Sequence, residues 1–164
     1  MDKLHILKEK MVHFYHGDPG RIHHFLKVHS FSKWIGEEEG LDARTQEILE
    51  ATAFVHDIGI RIAEEKYGSC AGPLQEKEGP AAAKAMLEEI GYDEKLIDRV
   101  CYIVGHHHTY TNIDGIDYQI LVEADFLVNL YEDGVSEAAV RNAYEKVFCT
   151  DTGKRICRTM FNMI

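Results

Sequence analysis

Apolar residues recur along this chain at steps of three and four, the period of amphipathic helices, and no stretch holds the two-residue alternation of a half-buried strand. From Lys3 to about Tyr15 the stripe is Leu4, Leu7, Met11 and Phe14, closed by Gly17-Asp18-Pro19-Gly20. A second helix is expected from Arg21 to Glu39, with His24, Val28, Phe31 and Ile35 on one face. After Gly40, Asp42 can cap a third helix reaching Val55, on which Leu49, Ala53 and His56 align. Residues 58–79 show no clear period and read as an irregular loop, long enough to suggest a lid or a binding loop. Pro80, a favoured first-turn residue, opens a fourth helix ending at Gly91. A fifth runs from Asp93 to about His107 through Leu96, Val100 and Ile103, and a turn-rich segment spans Thr109 to Gly115. The sixth, Asp117 to Tyr131, carries Leu121, Ala124, Asp125 and Val128 on its buried stripe. Ser136 caps a seventh, and Thr150 to Met163 forms a short eighth. The expected class is all-α, one helical domain of seven or eight helices.

Composition narrows the setting more than the fold. A length of 164 residues suits one domain with a core of its own, without disulfide staples. No apolar run approaches the roughly 20 residues of a membrane span, and Met1-Asp2-Lys3-Leu4-His5 lacks the form of a signal peptide. A cytoplasmic protein is therefore expected, with Cys70, Cys101, Cys149 and Cys157 as reduced thiols. The net charge of −10 speaks against extended binding to a nucleic acid backbone, which depends on clustered Lys and Arg. A small anionic substrate remains compatible, held by local cations or a metal.

Ten histidines are the unusual feature, and they are bunched: His23, His24 and His29, then His56, then His106, His107 and His108. His24 shares the buried stripe of its helix, whereas His29 lies about 140° away at about 100° per residue. His56 and Asp57 follow the apolar run 51–55 directly, at the end of a buried helix. Asp125 interrupts an apolar stripe. A buried carboxylate is costly unless paired or bound to a cation, so His24, His56, Asp57 and Asp125, on three helices, form a candidate metal set. Such ligands suit iron, manganese, nickel or zinc, and also magnesium. His107 continues the stripe of the fifth helix and His106 borders it, so both are expected to face inward while His108 faces the loop.

In this order the residues resemble the HD-domain metal-dependent phosphohydrolases. The resemblance rests on Arg21-Ile22-His23-His24-Phe25-Leu26-Lys27-Val28, on His56-Asp57-Ile58-Gly59, on His106-His107 and on Glu123-Ala124-Asp125-Phe126-Leu127, and covers about two thirds of the chain, roughly 21–131. It implies a first divalent metal on His24, His56, Asp57 and Asp125. It also implies that a second ion would share Asp57 and use His106 and His107. Two-metal relatives usually carry a further histidine where this chain has Gln75, so either Glu76 or Glu78 replaces it, the reading favoured here, or the second site is weak or absent. Many relatives place a lysine directly after the glycine of the His-Asp motif; here Arg61 stands one position later.

The function expected is hydrolysis of a phosphate ester, of a nucleotide or similar small phosphorylated molecule, by metal-activated water attacking phosphorus. Asp57 would hold or bridge metal, and Arg61, with Lys27 or Lys66 as other choices, would meet phosphate oxygens. A homodimer is possible, and membrane partners are not expected. Two rival readings are a di-iron oxygenase, as in the inositol oxygenases that share this ligand order, and a non-catalytic module binding metal or nucleotide.

Overall fold

A computed structural model describes residues 1–163. Among these residues are nine helices and no strand: α1 (Lys3–Phe14), α2 (Pro19–Glu38), α3 (Ala43–Val55), α4 (Gly59–Tyr67), α5 (Gly72–Ile90), α6 (Glu94–Val104), α7 (Ile116–Glu132), α8 (Glu137–Val147) and α9 (Asp151–Met160). Six helices begin at a residue whose side chain accepts a hydrogen bond from the first turn: Asp2, Asp18, Asp42, Asp93, Ser136 and Thr150. Each satisfies a backbone N–H that the helix itself leaves unpaired.

The bundle is built around α3, which packs on α1, α2, α6 and α7. Every residue from Glu50 to Val55 is buried. One side of α3 meets a core of Val28, Ile35, Ile103, Leu121, Ala124 and Val128, and the other a core of Leu7, Met11, Phe25, Leu87, Leu96 and Val100. A helix covered on all sides carries no clean stripe, and whatever its C-terminus presents is delivered to the middle of the molecule.

The expected loop over 58–79 is instead α4 and the first half of α5, and Pro80 lies inside α5 rather than at its start. Proline removes one helical hydrogen bond, yet the preceding turns are held by packing on α4. Gly59 and Gly79 permit that crossing. A Cβ on Gly59 would lie 2.7 Å from the Gln75 carbonyl oxygen and 2.8 Å from the Gly79 nitrogen, and one on Gly79 would lie 2.7 Å from Val104 Cγ1. Periodicity fails here because the two elements cross backbone to backbone at glycines, where the contact has no apolar side chain to mark it. Among the described residues no helix is long and apolar enough to cross a membrane.

Candidate metal centre

Past the last turn of α3, His56 and Ile58 keep helical backbone angles (φ −56°, ψ −34° and φ −57°, ψ −24°) until α4 begins at Gly59. His56 is thereby held at 1% exposure. Its Nδ1 lies 2.8 Å from the Ala53 carbonyl oxygen, and the Tyr15 hydroxyl donates to the Asp57 carbonyl at 2.7 Å. Three other helices bring partners. From α2, His24 Nδ1 lies 2.8 Å from Glu132 Oε1. Just beyond α6, His107 Nδ1 lies 2.8 Å from the Val104 carbonyl oxygen. From α7 comes Asp125, whose Oδ1 accepts from Asn129 Nδ2 at 3.0 Å.

In all three imidazoles the Nδ1 faces an oxygen that can only accept, so Nδ1 carries the hydrogen and Nε2 the lone pair. All three Nε2 atoms point inward. His24 Nε2 is 3.1 Å from Asp57 Oδ2 and 3.1 Å from Asp125 Oδ1; His56 Nε2 is 3.2 Å and 3.4 Å from the same oxygens. The two Nε2 atoms are themselves 3.3 Å apart. His107 Nε2 lies 3.3 Å from Asp57 Oδ1 and is buried without any hydrogen-bond partner. Lone pairs and carboxylate oxygens converging in a buried place repel one another unless positive charge lies among them, either protons taken up on Nε2 of His24 and His56 or a metal ion.

The titration behaviour has the same cause. Burial disfavours the charged imidazoles, but the carboxylates of Asp125 and Asp57 more than offset it, and His24 is raised to about 11. His56 is raised to about 10 against a like burial penalty. Burial raises Asp57 and Asp125, and the facing imidazoles outweigh it, holding both carboxyls below the ordinary range. The site attracts cations, and a proton and a metal ion would compete for it. His24, His56 and Asp57 present ligand atoms within 4.8 Å of one another and could hold a metal ion; Asp57, His107 and His108 form a second such group.

Not every expected residue reaches this cluster. His106 stacks on Tyr102 with ring centroids 4.1 Å apart, its Nδ1 directed to the Tyr102 carbonyl oxygen, and His108 takes the inward place instead. The reason is that α6 ends at Val104 and a turn starts at Gly105 (φ −74°, ψ −4°), so helical phase no longer carries through the three histidines. Glu78 accepts from the Tyr67 hydroxyl at 2.6 Å and from Lys66 at 3.0 Å, tying α5 to the end of α4. Glu76 accepts from the His108 backbone N–H at 3.2 Å and from the Thr109 hydroxyl at 3.0 Å. Neither glutamate belongs to either ligand group. Gln75 does meet the second group, but through a ligand: its Oε1 is 2.8 Å from His108 Nε2 while its amide donates to the Cys70 carbonyl oxygen at 2.6 Å. That contact leaves Nδ1 as the lone-pair nitrogen of His108.

Arg61 is also elsewhere. Its guanidinium donates to the Phe14 carbonyl oxygen and sits 5.2 Å from the Tyr15 ring centroid, locking α4 to the end of α1. Lys66 is paired with Glu78, and Lys27 with Glu132 at 3.4 Å. The cation that lines the open cleft over His24 and Asp57, about 390 Å³, is Arg21, with Asn129 and Glu132 on the opposite wall. Arg21 is paired with Asp18 at 3.1 Å and with Glu64. Sequence reasoning missed His108, Glu132, Asn129 and Arg21 as parts of this neighbourhood. For two of them a signal existed: Asn129 and Glu132 follow Asp125 at four and seven residues, on the same helical face.

The chain is similar to known proteins of one family. The family model described as the HD domain matches residues 21–143. Among solved structures, a predicted HD superfamily hydrolase from an uncultured Thermotogales bacterium superposes with a TM-score of 0.69 over 97% of this chain and 85% of that one, at 21% identity. A search of curated proteins finds no match.

Proposed function

Because this chain belongs to the HD-domain family, we propose that it is a metal-dependent phosphohydrolase acting on a small phosphate ester, a nucleotide or a related compound. The observation that carries the reading is the orientation of His24, His56 and His107: each N–H is spent on an outward acceptor and each Nε2 lone pair is turned on Asp57 or Asp125. Histidine ligands of metals are held in this way.

His24, His56, Asp57 and Asp125 would hold one divalent ion. A second would be shared through Asp57 with His107 and His108, and Gln75 orients His108 rather than binding. Iron, manganese, nickel, zinc and magnesium are all compatible with these donors. A divalent cation there supplies Lewis acidity, acidifying water and offsetting charge on a phosphoryl group. The protein's own groups do the rest. Glu132 and Asn129 keep His24 and Asp125 aimed inward, Tyr15 fixes the turn that carries Asp57, and Arg21 at the cleft mouth faces the phosphoryl oxygens in the role expected for Arg61.

The test is elemental analysis of protein purified without added metal, followed by a screen of phosphate esters with each candidate ion. Metal-dependent release of inorganic phosphate is expected. Dioxygen uptake without phosphate release would replace the reading with an oxygenase, and tight metal binding without turnover of any ester would leave a binding module.

A further inference from the structure

Next to the metal cleft lies a second cavity of about 260 Å³, lined by Tyr110, Phe126, Asn129, Leu130, Asp133 and Val135. Asn129 lines both cavities, and its amide is the group that holds Asp125. The second cavity therefore begins one residue from the metal ligands. Its wall differs in character from that of the cleft. Tyr110 and Phe126 meet edge to face with centroids 5.0 Å apart, and Tyr110 remains 45% exposed although it is a large ring. The exposed Asp133 carboxylate also lines the cavity and offers it an acceptor.

The charges along this path are one-sided. Asp18, Asp57, Glu132 and Asp133 line the two cavities; among the described residues Arg21 lines them as well but already serves Asp18 and Glu64, and Lys27 is held on Glu132 at 3.4 Å. A phosphoryl group beside the metal ligands is compensated there, but further phosphates extending towards Asp133 would meet carboxylates and, among the described residues, only cations already paired with carboxylates. A planar ring suits the aromatic wall, and an N–H on its edge suits Asp133. The second cavity, at about 260 Å³, lies just under the lower bound of roughly 300 Å³ for small-molecule pockets, so the group it takes is compact.

Resting on the phosphohydrolase reading, we infer that the Tyr110, Phe126 and Asp133 cavity is the leaving-group subsite, and that it selects nucleoside monophosphates, with the base against Tyr110, over nucleoside di- and triphosphates. Hydrolysis there breaks the bond between phosphorus and the sugar oxygen; water supplies the hydroxyl that leaves as phosphate and the proton that the nucleoside takes up.

The experiment compares kcat/KM of the metal-loaded protein for adenosine and cytidine 5′-monophosphates, the matching triphosphates and glycerol phosphate, in wild type, Tyr110→Ala and Asp133→Asn. Wild type should prefer a monophosphate over its triphosphate and over glycerol phosphate. In Tyr110→Ala the ratio of monophosphate to glycerol phosphate should fall roughly tenfold, the scale of one lost base-stacking contact. Asp133→Asn should narrow the gap between mono- and triphosphate. A triphosphate preference, or a ratio unmoved by Tyr110→Ala, overturns the inference. If no ester is hydrolysed, the phosphohydrolase reading fails, and binding of free adenosine and cytidine by equilibrium dialysis decides the subsite. Nucleoside binding lost in Tyr110→Ala retains it as a base-binding pocket, and no binding by wild type removes it.

Discussion

Two carboxylates on α7, two residues apart and both buried, do opposite work. Glu123 is 0% exposed and fully supplied with donors: Gln119 Nε2 at 2.7 Å, the backbone N–H groups of Cys149 and Thr150 at 3.0 Å, and the Thr150 hydroxyl at 2.7 Å. It fastens α7 to the start of α9. Asp125 is nearly as buried, yet apart from Asn129 it faces imidazole nitrogens whose hydrogens point away. Burial alone does not separate a structural carboxylate from a candidate metal ligand. What separates them is whether the surrounding groups arrive with their N–H or with a nitrogen that can take up a cation, because only the second arrangement leaves the carboxylate to be met by a proton or a metal ion taken up from solution.

The strongest way to break the comparison is to remove the charges one at a time. Asp57→Asn and Asp125→Asn should each lose metal affinity by about 100-fold or more, given that residues merely supporting such ligands cost about 10 to 100-fold; metal content after dialysis measures it. Glu123→Ala should leave metal content unchanged while destabilising the fold by about 2–4 kcal/mol, since several buried donors lose their acceptor, as read from urea unfolding. Equal metal loss in Glu123→Ala would erase the distinction. Glu132→Ala, which frees the outer nitrogen of His24, should weaken metal binding about tenfold with little change in unfolding midpoint.

A finer test uses pH. In metal-free protein His24 and His56 titrate near 11 and 10, above the ordinary imidazole value of about 6.5. Their contribution to stability is therefore complete below about pH 6.5 and is lost as pH rises towards 10. Thermal unfolding without metal should weaken from pH 7 to pH 9, whereas metal affinity should rise over the same interval because binding displaces protons. A metal affinity independent of pH would mean that the imidazoles are not the ligands. The smallest effect separates two arginines. Arg21→Ala should lower kcat/KM for a phosphate ester about tenfold. Arg61→Ala should leave that constant unchanged and lower the unfolding midpoint, because its bond to the Phe14 carbonyl oxygen joins α1 to α4.

Much of the centre was legible in the chain itself. Wherever a residue sits within a regular helix, its phase gives the direction of its side chain, and this was enough to point His24 inward rather than His29 and to mark Asp125 as an anomaly in an apolar stripe. The helical class followed from the same period. The residues misplaced by sequence reasoning lie where that rule stops. His106 and His108 exchange roles because α6 ends before them. The helical nature of 59–79 was hidden because Gly59 and Gly79 bring backbones together, a contact without a side-chain signature. Which carboxylate or cation serves the cleft was likewise decided by pairing across the fold: Glu78 is taken by Tyr67 and Lys66, and Arg61 by Phe14, while Arg21 is carried to the cleft mouth. Local periodicity determines which way a helical side chain points; only the packing of one helix on another determines what it meets there, because hydrogen-bond partners many residues apart are chosen by three-dimensional proximity.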